Sequence, residues 1–219
     1  MQMDKIITRA FNVCEWFSKV VYVNILWLLF TLAGIVLLGI MPATVALFTV
    51  VRKWTMSETE EPIFQTFFQT YKKEFLSANF LGIVLVAIGA FLVYDLRLVL
   101  SLGGNLQVLL GVPLLIIISC YLLTLLYLFP VYVNFELRFL HYFKYAFYIS
   151  ILNLHTTIFM LVVLLFYCVF LSFLPGFIPF ISVSVISIVI MFGATIAIQR
   201  IAKKQEKYNQ ELNSSSNIR

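Results

Sequence analysis

The chain has 219 residues, of which 62% are hydrophobic and 11% are charged, and its formal net charge is +5. Roughly a quarter of the residues in a soluble domain are charged, so this composition excludes an ordinary soluble domain. The basic residues are spread through short segments between apolar runs, which is typical of an anionic membrane surface rather than of a nucleic-acid-binding face. We therefore expect an all-α, polytopic membrane protein that contacts the lipid bilayer and binds no nucleic acid.

Apolar runs predict a bundle of about six membrane-embedded helices in one domain, residues 1–212, followed by a flexible tail, residues 213–219. The predicted spans are residues 20–38, 42–54, 75–94, 106–129, 149–174 and 177–198. The second span is short and begins at Pro42, because proline inside the long apolar run interrupts a helix. Its length of about 12 residues rises roughly 18 Å, well short of a hydrocarbon core of about 30 Å. A re-entrant or interfacial segment therefore stays open as the alternative.

The distribution of Lys and Arg favours six crossings, with the N- and C-termini in the cytoplasm. In that topology one of the 15 basic residues, Arg97, lies outside. The others lie inside: Lys5, Arg9, Lys19, Arg52, Lys53, Lys72, Lys73, Arg138, Lys144, Arg200, Lys203, Lys204, Lys207 and Arg219. Five crossings with a cytoplasmic C-terminus would move Lys5, Arg9 and Lys19 to the outside and weaken the bias.

Residues 59–75 predict an amphipathic helix at the inner membrane surface. Thr59 can cap this helix, and the Glu-Glu-Pro sequence after it suits the first turn. Aromatic and apolar residues recur at spacings of three and four and form one face: Ile63, Phe64, Phe67, Phe68, Tyr71 and Phe75. Lys72 and Lys73 lie on the polar face, near the negative end of the helix dipole, where anionic lipid attracts them.

A second inner-surface helix is predicted over residues 130–150. Asn134, Arg138, His141 and Tyr145 recur at helical spacing and form a narrow polar stripe on an otherwise aromatic helix. Aromatic helices of this kind anchor proteins at membrane interfaces. The alternative is that the two inner-surface helices together form a docking platform for another protein.

Recognisable catalytic and cofactor-binding motifs are absent from the sequence. It has no HExxH, GxSxG or GxxxxGK[ST] pattern, and the uncharged apolar runs argue against an autonomous ion-coupled carrier. Cys14, Cys120 and Cys168 lie far apart, and we interpret them as reduced apolar side chains. A lone histidine in a span, His155, is more often hydrogen-bonded to a neighbouring helix than catalytic. We expect neither an enzyme nor a cofactor or metal.

Three motifs carry a resemblance to a known family. They are Asn24-x-x-Trp27, then Pro42-Ala43-Thr44-x-Ala46-Leu47-Phe48 with Arg52-Lys53-Trp54, and Phe68-x-x-Tyr71-Lys72-Lys73-Glu74-Phe75-x-x-Ala78-Asn79. These motifs resemble the YesL family, small bacterial integral membrane proteins classed as of unknown function. The resemblance is close from residue 11 to about residue 100 and rests on span pattern beyond. It implies a plasma-membrane protein of Gram-positive bacteria, often associated with genes for carbohydrate ABC uptake and polysaccharide degradation, and it supplies no catalytic residues.

Two function hypotheses are compatible with this sequence. The first is a non-enzymatic auxiliary or assembly component of carbohydrate ABC uptake, with sugar ABC transporter subunits as partners. Its expected partner or lipid interface comprises Arg52, Lys53, Tyr71, Lys72, Lys73, Arg138 and Lys144. The second is a stand-alone transporter or channel for a small solute. A permease proper ranks lower, because the stretch Tyr71–Asn79 lacks the glycine of an ATPase-coupling loop, and an enzyme acting on lipid or lipid-linked sugar stays open.

Overall fold

The chain folds into a bundle of α-helices joined by short connections. The structure, a computed structural model, describes residues 2–56 and 62–216, with the side chains of residues 8, 9, 11, 13–56 and 62–210. Within these ranges no strand is formed. The helices are α1 (Gln2–Ala33), α2 (Ile40–Thr55), α3 (Ile63–Lys73), α4 (Phe75–Leu102), α5 (Gly104–Asn134), α6 (Phe139–Leu152), α7 (Leu154–Phe173) and α8 (Ile178–Ser216). A short 3-10 turn, Pro175–Phe177, joins α7 to α8.

Five of the described helices are long and apolar enough to cross a membrane: Val13–Ala33, Phe75–Leu102, Gly104–Asn134, Leu154–Phe173 and Pro175–Gln210. Their outer faces carry many exposed apolar side chains, such as Leu109, Phe166 and Phe173, which suit contact with lipid. The all-α, polytopic membrane fold expected from the composition is confirmed. The short predicted span corresponds to α2, whose 16 residues rise about 24 Å, so a full crossing by α2 stays a prediction.

Helix α2 lies at the centre of the bundle and contacts α1, α3, α4, α5 and α8. Ala43, Ala46 and Leu47 are completely buried there. The ring of Phe48 stacks on that of Phe129 in α5, with 5.4 Å between the ring centroids. Pro42 is accommodated because it lies in the first turn of α2, where a backbone N–H has no intrahelical acceptor. The shortest predicted span thus forms the core around which the longer helices pack.

The first predicted span, residues 20–38, extends past the end of α1 at Ala33. The chain turns over residues 34–39, where a Cβ added to Gly34 would lie 2.4 Å from the Cα of Gly39. Ile35 and Val36 adopt φ values of 57° and 59°, which cost about 1–2 kcal/mol per residue that carries a Cβ. The close approach of the two glycines therefore ends α1 earlier than Pro42 led us to expect.

The single helix predicted over residues 130–150 is wrong, because α5 ends at Asn134 and residues 135–138 are not helical. Asn134 Nδ2 donates to the carbonyl of Pro130, one turn earlier in α5, at 2.8 Å. The predicted polar stripe is therefore divided between two helices.

Two further predicted boundaries change. Asn153, with φ −124° and ψ 44°, separates α6 from α7, so residues 149–152 belong to α6 rather than to the predicted span 149–174. The carbonyl of Ile149 accepts hydrogen bonds from both the backbone N–H and the Nδ2 of Asn153, each at 3.2 Å, at the last turn of α6. Helix α8 continues to Ser216 and so includes the first part of the predicted tail, while residues 217–219 lie outside the described part of the chain.

Helix α3, predicted to lie at the membrane interface, packs on α1. It begins at Ile63 with Pro62 at the N-cap, and the predicted cap, Thr59, lies outside the described residues. Phe67 is completely buried, and its ring centroid is 5.3 Å from that of Phe30 in α1. Part of the predicted lipid-facing aromatic face is therefore a helix–helix contact.

Candidate functional site

A polar cavity lies where α2, α5 and the start of α6 meet the junction of α3 and α4, and its volume is about 290 Å³. Charged and hydrogen-bonding side chains form much of its wall: Arg52, Lys73, Glu74, Tyr132, Asn134 and Tyr142. We refer to this site as the polar cavity. It contrasts with the apolar centre of the bundle around α2, and it therefore is the strongest candidate for a functional site.

Helix α2 presents Val45, Thr49 and Arg52 to the polar cavity, because residues three and four positions apart share one face of a helix. Arg52 Nε donates to Asn134 Oδ1 at 3.0 Å. Since Asn134 Nδ2 is itself bonded to Pro130, the amide is fixed at both ends. A hydrogen bond to a charged group contributes about 1.5–3 kcal/mol, so this contact holds the half-buried guanidinium at the cavity wall.

The opposite wall contains a carboxylate held by a phenol. Tyr132 OH, from α5, donates to Glu74 Oε2 at 2.7 Å, at the junction of α3 and α4. Lys73 Nζ lies 4.0 Å from Glu74 Oε1, but the Lys73 side chain is 78% exposed whereas that of Glu74 is 23% exposed. Such an exposed ion pair contributes little to stability. The phenol therefore orients the carboxylate, and the Lys73 ammonium remains available at the rim.

Tyr142 shapes the side of the cavity that faces the break between α5 and α6. Its ring centroid is 4.9 Å from that of Tyr132. Its hydroxyl accepts a hydrogen bond from the backbone N–H of Leu137 at 3.0 Å, within the non-helical segment. These two contacts of Tyr142 fix the break beside the cavity.

The cavity wall offers charged groups of both signs to a ligand. Two cations, Arg52 and Lys73, face two carboxylates, Glu74 and Glu136, so the wall has no excess charge of either sign. A polar group that carries both donors and acceptors matches such a wall better than a simple anion does. Among the residues that the structure describes, no three His, Cys, Asp or Glu side chains are placed to hold a metal ion.

The structure divides the predicted interface residues of α2 and α3 between different roles. Arg52 and Lys73 line the polar cavity, whereas Lys72 is exposed outside it. Tyr71 OH donates to the carbonyl of Phe30 at 3.1 Å, and burial raises the pKa of this phenol above its usual value, so it remains a donor. Tyr71 thus attaches α3 to the end of α1.

The remaining predicted interface residues lie apart from this group. Lys53 is half-buried near the end of α2, and Arg138 is exposed at the N-cap of α6. Lys144 is also exposed, and its Nζ lies 5.9 Å from the ring centroid of Tyr148. These three residues do not line the polar cavity, so the seven predicted residues form no single surface.

Sequence reasoning missed Glu74, Tyr132 and Tyr142 as cavity residues. Glu74 lies within a family motif, directly after the two lysines, which was a usable signal. Tyr132 and Tyr142 belong to a tyrosine-rich segment that we interpreted as an interface anchor. The pairing of Tyr132 with Glu74 joins residues 58 positions apart and has no local sequence signature.

The motif residues outside the cavity hold the helices together. Trp27 Nε1 donates to Thr44 Oγ1 at 3.1 Å, which joins α1 to α2. Asn79 Nδ2 donates to the carbonyl of Leu38 at 3.0 Å, which joins α4 to the α1–α2 turn. With Tyr71 bonded to Phe30, two side chains from the α3–α4 region thus stabilise the strained turn and the helix end before it.

These features define an all-α, polytopic membrane protein with a polar cavity beside a filled helical core. The family model described as "Protein of unknown function, DUF624" matches residues 20–96, which contain all three motifs. The chain belongs to this family, whose members include YesL. No solved structure matches the chain.

Three relatives from Bacillus subtilis (strain 168) are similar over most of their length. The uncharacterized protein YteU is 36% identical over 219 residues, which is 100% of this chain and 96% of YteU. The uncharacterized protein YesL is 32% identical over 201 residues, which is 89% of this chain and 91% of YesL. The uncharacterized protein YesV is 36% identical over 187 residues, which is 85% of this chain and 90% of YesV.

Proposed function

We propose that this protein is a non-enzymatic auxiliary or assembly component of bacterial carbohydrate ABC uptake in the plasma membrane. The association of the YesL family with genes for carbohydrate ABC uptake supplies the link to sugars. The distribution of Lys and Arg supports cytoplasmic N- and C-termini. The observation that carries the proposal is the polar cavity, which lies beside a helical core that is itself filled.

The filled core favours an auxiliary role over a stand-alone transporter or channel. Several of the buried polar groups that the structure describes bond across helices, as Tyr127 OH does to Thr157 Oγ1 at 2.9 Å. Polar pairs of this kind hold membrane helices together. Around α2 the buried side chains are apolar, so the centre of the bundle offers a solute no row of polar partners.

The polar cavity suits a polar loop of a partner subunit. Its cationic side chains donate hydrogen bonds and its carboxylates accept them, and Tyr132 and Tyr142 add aromatic surface. Aromatic residues and arginine are enriched at the centre of protein interfaces. In this proposal the loop belongs to the permease or ATPase subunit of the sugar importer and enters the cavity from the cytoplasm.

The test compares two neighbouring lysines on α3 in the full chain, expressed with a tag in a Gram-positive host and extracted in detergent. Lys73→Glu reverses a charge at the cavity rim, whereas Lys72→Glu reverses the charge of an exposed lysine outside it. We expect the wild type and Lys72→Glu to retain importer subunits. Lys73→Glu is expected to recover about tenfold less, which corresponds to about 1.4 kcal/mol.

Thermal unfolding of the purified variants controls for folding, and it should be the same for both because neither lysine is buried. Recovery of no importer subunit with the wild type, or equal recovery with Lys73→Glu, would contradict the proposal. A stand-alone transporter would instead recover no specific partner and would move solute in proteoliposomes.

A further inference from the structure

A groove separate from the polar cavity lies between α6 and α8, and its volume is about 360 Å³. Its rim is formed by His141, Lys144, Tyr145 and Tyr148, and its floor by Ile149, Leu152 and Ile201. We refer to it as the α6–α8 groove. Lys144 was expected at a partner or lipid interface, but the proposed function uses the polar cavity, so a ligand of this groove is independent of it.

The polarity of the groove changes along α6. His141 and Lys144 lie near the start of the helix, and Leu152 lies at its end with 66% of its surface exposed. Eleven residues separate His141 from Leu152, which corresponds to about 16 Å along the helix. The groove therefore offers a cationic end and an apolar end at a separation that a single amphipathic molecule can bridge.

No negative charge in the groove wall balances the positive charge at the cationic end of the groove. Lys144 Nζ lies 5.9 Å from the centroid of the Tyr148 ring, a cation–π contact that favours its position at the rim. No acidic side chain lines the groove. On α8, Lys204 follows Ile201 by three residues and so lies on the same helix face, one turn further along. The positive charge around the cationic end of the groove therefore favours the binding of an anion.

We infer that the α6–α8 groove binds an anionic phospholipid. Lys144 and the nearby Tyr145 hydroxyl contact the phosphate, and an acyl chain lies along Leu152 and Ile201. The apolar floor distinguishes this ligand from free phosphate, which has no apolar part to place there. Basic pockets beside membrane helices bind lipid headgroups by the same combination of charge and apolar contact.

The experiment titrates the full-chain protein in neutral detergent with phosphatidylglycerol or phosphatidylcholine and counts bound lipids by native mass spectrometry. Lys144→Gln removes the charge at the rim, and Arg97→Gln removes an exposed positive charge on α4 as the control. One lysine near an anionic headgroup contributes about fivefold in affinity. We expect Lys144→Gln to weaken phosphatidylglycerol binding by about that factor and to leave phosphatidylcholine unchanged.

A second variant tests the floor. Leu152→Ser should weaken the binding of both lipids by about threefold, because it removes apolar contact without altering charge. Inorganic phosphate should not compete with phosphatidylglycerol at millimolar concentration. Equal affinity of the wild type for the two lipids, an equal loss in Arg97→Gln, or displacement by phosphate would each overturn the inference.

Discussion

The carbonyl oxygen of the Asn24 side chain accepts two hydrogen bonds from Ser184, one from its backbone N–H at 3.0 Å and one from its hydroxyl at 3.1 Å. The same oxygen accepts from the backbone N–H of Val183 at 3.1 Å, and Asn24 Nδ2 donates to the carbonyl of Pro179 at 2.7 Å. The Asn24 side chain in α1 thus bonds to the first turns of α8. These turns include Pro179, which has no backbone N–H.

Replacing Asn24 should therefore destabilise the protein more than shortening Ser184. Asn24→Leu removes all four contacts, whereas Ser184→Ala removes one. Interhelical hydrogen bonds in membrane proteins average about 0.6 kcal/mol, so we expect losses of about 2 kcal/mol and 0.5 kcal/mol. The measurement is equilibrium unfolding in detergent. Equal losses in the two variants would show that the Asn24 amide has no special role.

The turn between α1 and α2 gives a second prediction. A Cβ at Gly39 would lie 2.4 Å from the carbonyl oxygen of Thr31, so Gly39→Ala should force the turn apart and lower stability by about 1–3 kcal/mol. Gly176→Ala is the control, because nothing lies within 4 Å of a Cβ placed there. Thermal unfolding in detergent compares them. An unchanged Gly39→Ala midpoint would contradict the close approach of Gly39 to Thr31.

A third prediction concerns the wall of the polar cavity. Arg52 and Asn134 should be energetically coupled, because the guanidinium donates directly to the amide oxygen. A double-mutant cycle with Arg52→Ala and Asn134→Ala should give a coupling free energy of about 1–2 kcal/mol. The pair Lys72→Ala and Asn134→Ala should add without coupling. Additive effects in both cycles would contradict the contact.

The helices were predicted well because the lengths of the apolar runs, and the charges between them, can be read directly from the sequence. The prediction failed where contacts between helices determine the point at which a helix ends. Nothing in the periodicity shows that Gly34 and Gly39 meet, so the end of α1 was misplaced. The continuous aromatic run across residues 130–150 gave no sign of the break after Asn134, where the backbone N–H of Leu137 bonds to the Tyr142 hydroxyl.

The polar cavity was predicted only in part. Arg52 and Lys73 were found because exposed basic residues beside apolar runs indicate a membrane surface. Glu74 and Tyr132 were missed because their pairing depends on how α5 packs against the start of α4. Tyr71 was expected at the surface, yet its hydroxyl contacts α1, because helical periodicity cannot say which part of an aromatic face meets protein.

The proposed topology gives a fourth prediction. In a variant whose native cysteines are replaced by serine, Arg97→Cys should react with a membrane-impermeant maleimide in intact cells. Arg9→Cys and Lys203→Cys should react only after lysis, since basic residues remain on the cytoplasmic side. Labelling of either of these two positions in intact cells would show that the chain ends lie on opposite sides or that the orientation is reversed.

The most direct test of the central claim is site-specific photo-crosslinking in living cells. A benzophenone side chain in place of Glu136, which is exposed and lines the polar cavity, should crosslink to a permease or ATPase subunit of a sugar importer. The same group in place of Phe166, which is 68% exposed on α7, should not. Crosslinking of that subunit at both positions, or at Phe166 and not at Glu136, would contradict docking through the polar cavity.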